Sequence, residues 1–492
     1  MSSNPGLAIN PQPVVTMAAS EIVPFAKTGG LADVVGALSR ALASSGVQVN
    51  LVMPAYRAIV KNLLLGRKPH RKLSICIDER IVTGLQYKKS LGPLLNIYFI
   101  RADEYFDRDC LYGDSSGDYP DNAERFAFFS RAALEVAELT HSNILHLHDW
   151  QAAPAAAFLK LQSEKYPRLS ATRTILTVHN LAYQGLFDHG QWSALGLDSC
   201  HFNPRQFEFW GRINYLKSGL ANSDRLTTVS PTYACEIQRD GCGFGLEGLL
   251  RERSQYLSGI LNGVDYSVWN PEIDHCIKER YSAADLDGKA ACKASLQECF
   301  GLDRDPGAPL VCMITRLADG KGIELVMDIA EKLVSSGVQF GILGRGDRKY
   351  EDYFNALAIR FPGRAGVKIA FDEALAHQTV AGSDMLLMPS EREPCGLTQM
   401  YALKYGTVPI VRRTGGLADS VDPYDAAASL GTGFLFDEYS GAGLLEAIKQ
   451  ATSVYDKKIR WQGLIRRGMA ADHSWNRSMQ EYLRLYHNLI RR

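Results

Sequence analysis

Three cations stand where an anionic leaving group would need them. Lys27 precedes the pair Gly29-Gly30 in KTGGLADVV (27–35), and Arg316 and Lys321 share the loop in MITRLADGKGIEL (313–325). Paired glycines let backbone N–H groups approach an anion, and a following helix N-terminus adds partial positive charge. Two cations on one strand-to-helix loop can clamp a diphosphate through charge-assisted hydrogen bonds. Each has a plainer reading: a tight turn with a solvated lysine at 27–30, solvated surface charges at 316 and 321. LGRGDRKYE (343–351), with Gly344, is a further glycine-rich turn that carries little alone.

Polar clusters follow apolar runs at two places. HLHDWQAAP (146–154) carries His148, Asp149 and Trp150, and TVHNLAYQG (177–185) carries His179 and Asn180. Such residues at the carboxyl end of a buried strand suit sugar hydroxyls or a transition state. Asp149 has a second reading, as the cap of a helix starting near Gln151. In PSEREPCGLTQMYALKYGTVPIVRRTGGLADSV (389–421), Glu393 lies in a Pro-containing turn and Cys395-Gly396-Leu397 opens a helix. Glu393 can accept from sugar hydroxyls while N–H groups at the helix start face a phosphate. That location also lowers a thiol pKa in principle. A thiol nucleophile needs a base, however, and none is identifiable, so Cys395 reads as a backbone contact. DRD occurs at 107–109 and 303–305. Paired aspartates can hold a divalent ion, but both segments read as turns, and no metal is expected.

These residues need strands and helices to place them. Strand-like runs fall at 13–20, 47–54, 96–101, 144–148 and 173–179, and again at 309–315, 338–344, 367–371, 384–389 and 407–412. Stretches such as GLADVVGALSRALASSG and GIELVMDIAEKLVSSG between them are apolar at helical spacing. Near-continuous apolar strands alternating with helices indicate parallel sheets covered on both faces. The expectation is an α/β protein of two doubly wound domains around a shared crevice. Its divisions are a flexible leader at 1–12, a domain at 13–256, a second at 257–473 and an amphipathic helix at 474–492. The hexapeptide TGGLAD occurs in both domains, at 28–33 and 414–419.

Bulk properties exclude several classes. The 492 residues carry 54 Lys+Arg against 54 Asp+Glu, so no global field favours nucleic acid or a membrane. No apolar run approaches the roughly 18 residues of a membrane span. The ten cysteines are scattered without C-x-x-C or metal spacing, which suits a reducing compartment. MSSNPGLAINPQP lacks a secretory pattern. A soluble intracellular protein is expected, cytoplasmic or, after removal of a transit peptide, in the plastid stroma.

Together the motifs resemble the glycogen/starch synthase family, bacterial glycogen synthases above all: retaining glucosyltransferases of the GT-B type, with two Rossmann-like domains facing a central cleft. KTGGLADVVGAL, YPDNAERFAFF, HLHDWQAAPAA, TVHNLAYQG, INYLKSGL, TVSPTYACEI, LNGVD, TRLADGKG and EPCGLTQMYALKYGTVPIVRRTGGLADSV appear in family order over about 13–488. The resemblance implies that Asp149, His179, Arg316, Lys321 and Glu393 carry catalysis. It implies a donor site of Lys27, Gly29, Gly30, Asn180, Asn262, Gly344, Phe371, Cys395, Gly396, Leu397 and Thr398. The first TGGLAD would face the donor; the second would lie behind the donor pocket. The domain at 13–256 would take the acceptor, the one at 257–473 the donor, and the last helix would pack back on the first domain.

Three positions depart from the family pattern. Gly320 replaces a Gln, Arg392 an aromatic before EPCG, and Phe371 the base-stacking tyrosine. Arg392 either turns in towards Glu393 or out towards Glu391. The implied reaction moves glucose from ADP-glucose or UDP-glucose to the non-reducing end of an α-1,4-glucan (glycogen, starch or a maltooligosaccharide), with retention and without a cofactor. A sucrose-type transferase, a sugar-nucleotide epimerase and a glucan-binding pseudoenzyme are the rival readings; an epimerase needs no glucan.

Overall fold

A computed structural model describes residues 12–491. The expected leader, apart from Gln12, lies outside the described residues. The chain forms two compact units. One comprises the chain through Val229, Ala234–Ile260 and the C-terminal stretch from Ser478; the other comprises Ser230–Tyr233 and Leu261–Arg477.

The sheet of the first unit runs, in spatial order, Leu257–Gly259, Arg225–Thr228, Arg173–Val178, Ile144–His148, Val14–Ala18, Gln48–Pro54, Leu95–Arg101, Arg80–Gly92 and Arg71–Ile77. Pairing is parallel up to Leu95–Arg101, and the last two strands are antiparallel. Val14–Ala18 and Ile144–His148 are neighbours in space but far apart in sequence, so strand order reverses between them. Residues just beyond both strands therefore share the crevice where such sheets take ligands. The hairpin 71–92 was not foreseen, because its exposed and buried residues alternate, unlike the apolar strands beside it. Leu257–Gly259 pairs with Leu226–Thr228, so the first unit extends past the expected join at 257.

The second unit holds Ala365–Ile369, Gln339–Gly344, Leu310–Ile314, Met385–Met388, Val408–Arg412 and Phe434–Phe436, all parallel. In chain order this is 3-2-1-4-5-6, the Rossmann arrangement, whose switch point lies between Leu310–Ile314 and Met385–Met388. Helix Ile323–Ser335 follows the first strand, burying Ile323, Val326, Ile329, Ala330 and Leu333 at helical spacing. The last helix, Trp475–Ile490, buries Met479, Tyr482, Tyr486 and Leu489. From Ser478 it belongs to the first unit, where the Tyr486 hydroxyl meets His146 Nδ1 at 2.8 Å.

Candidate active site

At the switch point of the second unit is a cavity of about 190 Å³. Its wall includes Ile314, Thr315 and Arg316 at the carboxyl end of one strand and Leu387, Met388 and Ser390 at that of the other. Lys321, Glu393, Gly396, Leu397 and Thr398 complete the polar side. Lys321 Nζ lies 2.7 Å from Glu393 Oε2, which also accepts from Ser390 Oγ at 2.9 Å. Arg316 is exposed on the same wall. The loop that carries both cations is fixed to the acidic turn: Glu391 N donates to Gly320 O at 3.0 Å. Gly320 has φ +79 with open space around it, so glycine supplies a left-handed turn there without strain.

The second TGGLAD holds the Glu393 turn from behind. Gly416 N donates to the carbonyls of Glu393 and Pro394, each at 3.1 Å. A Cβ at Gly416 would fall 2.1 Å from Cys395 O, so the two segments approach this closely only through glycine. Asp419 closes the arrangement by accepting from Thr232 N at 2.8 Å and Thr232 Oγ1 at 2.6 Å. Cys395 is buried and its thiol is pushed up to about 12, chiefly by burial. The lowered thiol pKa suggested by a helix start is thus overturned. The helix itself is short and begins at Thr398. Asn262 is buried beside Cys395, and its Oδ1 has no hydrogen-bond partner among the described residues.

Like Asn262 and Cys395, the expected donor residues Gly344 and Phe371 stand off the cavity wall. Gly344 faces the Thr315 carbonyl, 2.1 Å from where its Cβ would be, and serves strand packing. Phe371 is 84% exposed and outside the cavity lining. Arg392 is exposed and does not line the cavity.

In the first unit, Glu21 organises the glycine loop. Its carboxylate accepts from Thr28 N, from Gly29 N at 3.3 Å, from Thr28 Oγ1 at 2.6 Å and from Tyr112 OH at 2.5 Å. The Gly29 amide expected to meet a ligand phosphate therefore points at Glu21. Lys27 is paired with Asp33 at 2.8 Å, and helix Gly30–Ser44 begins beside it. Glu21 was missed by the sequence reading; its signal is an acidic residue three positions after a buried strand and seven before Thr28.

Asp149 is not a helix cap. The helix Asp149–Ala152 starts at this residue, whose φ is +56, and its Oδ1 accepts from His179 N at 2.7 Å. Burial pushes the Asp149 carboxyl up to about 7, opposed by the amides of His179 and Asn180. His179 Nε2 lies 3.0 Å from His148 Nδ1, and burial holds His179 down to about 3, a neutral imidazole. Asn180 Oδ1 accepts from Ala182 N at 3.0 Å and shapes the following turn. Trp150 packs on Gly185, where a Cβ would lie 2.4 Å from the ring.

Both DRD segments are engaged locally. Arg57 pairs with Asp107 and Asp109 at 2.7 Å each, and Asp305 Oδ1 accepts from Gly307 N and Ala308 N at 2.9 and 3.1 Å. One other group among the described residues has metal-ligand chemistry: Asp274, Cys276 and His377, with ligand atoms within 4.8 Å of one another. Its carboxylate is already used by Tyr405 OH at 2.6 Å and His377 Nδ1 at 2.7 Å, and none of the three lines the cavity.

Residues 14–252 match the family described as starch synthase catalytic domain, and 298–462 match glycosyl transferases group 1. A glycogen synthase of Syntrophotalea carbinolica is 45% identical over 483 residues, covering 97% of this chain and 99% of that protein. The chain belongs to the glycogen/starch synthase family. A second family member, the glycogen synthase of Koribacter versatilis, is 44% identical over 96% of this chain and 97% of its own. The catalytic domain of starch synthase IV from Arabidopsis thaliana, solved with ADP and acarbose, superposes with a TM-score of 0.87 at 33% identity, covering 98% of this chain and 100% of that one. A sucrose-phosphate synthase from Thermosynechococcus elongatus shares the fold at a TM-score of 0.61 and 16% identity, covering 98% of this chain and 100% of that one. This family member is a glycosyltransferase of GT-B fold, of the glycogen- and starch-synthesising kind. Among the described residues no helix is long and apolar enough to cross a membrane.

Proposed function

We propose that the chain transfers glucose from ADP-glucose to the 4-hydroxyl at the non-reducing end of an α-1,4-glucan, with retention. The observation that carries this reading is the switch-point cavity, where Arg316, Lys321 and Glu393 meet. Its volume, about 190 Å³, is below the roughly 300–1,000 Å³ of a whole small-molecule site. It matches the sugar-diphosphate end of the donor, with the base reaching outward to the exposed Phe371.

Breaking the bond from C1 to the phosphate oxygen sends an electron pair onto the diphosphate. Arg316 and Lys321 stabilise that charge as it grows, by preorganised electrostatics. Without donor, Glu393 neutralises Lys321; the arriving diphosphate draws the cation, and the carboxylate turns to the sugar hydroxyls. The glucan hydroxyl attacks from the same face, and its proton passes to the departing phosphate oxygen. Asp149 and His179 of the first unit serve the sugar and the acceptor, and Lys27, released from Asp33, serves the donor. Arabidopsis starch synthase IV, solved with ADP and acarbose, supports an adenine donor and a glucan-like acceptor.

Transfer of labelled glucose to glycogen tests this reading, with ADP-glucose and UDP-glucose compared. Label entering the glucan from ADP-glucose supports it. Release of free glucose without incorporation overturns it.

A further inference from the structure

Two bulky aromatic residues of the first unit occupy a backbone conformation that L residues rarely adopt, and both face outward. Trp210, at the tip of the hairpin formed by Glu208–Phe209 and Arg212–Asn214, has φ +53 and is 82% exposed. Phe244 has φ +51 and is 41% exposed. A left-handed φ is a strained backbone for such a residue. At Trp210 a large apolar side chain is also left in water, forgoing the gain of burial. Glycine would relieve the backbone at either position, yet an aromatic stands at each. Strain concentrated on two exposed aromatics points to something they bind.

The two belong to one surface. A Cβ built on Gly245 would lie 2.8 Å from Phe209 Cζ and 3.7 Å from Trp210 Nε1, so the hairpin lies against the 244–245 turn. Gln184 Nε2 donates to Phe244 O at 3.1 Å, which joins that turn to the loop following His179 and Asn180. Tyr183, on that loop, is 55% exposed. The hairpin is firmly held: Lys217 Nζ donates to Glu208 O at 2.5 Å and Gly211 N to Glu208 Oε1 at 2.8 Å.

We propose that Trp210, Phe244 and Tyr183 form a platform for an α-glucan chain, binding sugar units beyond the one that reacts. The inference rests on the function proposed above. A pyranose ring has an apolar C–H face that stacks on an aromatic ring and an edge of hydroxyls that needs polar partners. Rigid aromatics supply the first with little loss of entropy, and Glu208 and Arg212 beside them supply the second. The surface is continuous with the His179–Asn180 loop, so a chain whose end is held there extends naturally over it.

The test is Trp210→Ala, assayed with glycogen and with maltotriose, and run beside the parent protein in glycogen-containing native gels. The expected result is a KM for glycogen raised about tenfold, a smaller rise for maltotriose, an unaltered KM for ADP-glucose and lost retardation in the gel. Trp210→Tyr should restore most of both. Phe244→Ala should give the same pattern in weaker form. Unchanged glycogen KM and gel retardation in a folded Trp210→Ala would overturn the platform, as would an equal loss on both acceptors. Retardation of the parent protein without glucose transfer would instead overturn the proposed reaction and leave the platform standing.

Discussion

Lys321 Nζ and Glu393 Oε2 are 2.7 Å apart, a cation and a carboxylate joined across the floor of one cavity by residues 72 positions apart in the chain. The pair is only partly exposed, so it is screened less than a surface ion pair. It holds both groups in place before a ligand arrives. Each is then a charge that donor binding redirects rather than one that must be ordered from solvent.

Arg316→Ala and Lys321→Ala should therefore differ in stability while agreeing in turnover. Each removes a cation from charge that grows towards the transition state, and loss of one such preorganised group lowers kcat by about 10²–10³-fold. Arg316 is exposed, and its loss should leave Tm unaltered. Lys321→Ala also strands Glu393 in a nearly buried place, costing about 1–3 kcal/mol. Near-normal kcat in both variants would remove the clamp assignment.

Chelation is expected to leave transfer unchanged, because Arg316 and Lys321 supply the positive charge a metal would otherwise bring to the diphosphate. Activity lost in EDTA and restored by Mn²⁺ or Mg²⁺ would show that the cations are insufficient.

Arg392→Phe, which restores the aromatic typical of the family, should alter activity by less than about twofold. Arg392 is exposed and off the cavity wall, and contacts of exposed charged side chains are worth about 0–1 kcal/mol. A several-fold gain would mean that the guanidinium restrains Glu393 during the reaction.

Acid should destabilise the first unit through its buried histidines. Burial lowers His146 to about 3, so between pH 6.5 and 3 the unfolded chain binds a proton there that the folded one does not. Stability is then lost as pH falls below about 6.5, by up to ~1.4 kcal/mol per pH unit. Asp149 acts with opposite sign: raised to about 7, it keeps a proton in the folded state that the unfolded chain releases above its ordinary 3.8. Denaturation followed from pH 7 to 4 should show a flatter loss in His146→Gln and a steeper one in Asp149→Asn. Parallel slopes in all three proteins would contradict these assignments.

Much of the architecture was legible because parallel strands buried on both faces leave unbroken apolar runs, as in Ile144–His148 and Leu310–Ile314. Short strands such as Phe434–Phe436 offered too few residues for a period, and the hairpin 71–92 alternates. Arg316, Lys321 and Glu393 were legible as motifs, but their pairing was not, since spacing along a chain says nothing of which loops a switch point brings together. The role of Glu21 was hidden for a different reason. A carboxylate buried on backbone amides looks, in sequence, like any acid near a strand end.

The two copies of TGGLAD offer the sharpest test, because alanine at the first glycine of one copy and at the second glycine of the other should have different effects. Both open a helix, at Gly30–Ser44 and at Gly415–Ser420. In the first copy Gly29 has extended backbone, φ −153, and a Cβ there would meet nothing within 4 Å. Gly29→Ala should cost under about 1 kcal/mol, the difference between glycine and alanine as an N-cap. In the second copy a Cβ at Gly416 would strike the Cys395 carbonyl at 2.1 Å and its Cα at 2.4 Å. Neither atom can yield without moving the turn that carries Glu393, whose carbonyl accepts from Gly416 N. Gly416→Ala should lower stability by about 1–3 kcal/mol, as overpacking does, and should lower kcat by displacing the carboxylate. Equal tolerance at both positions, in Tm and in transfer, would show that the second hexapeptide does not set the position of Glu393.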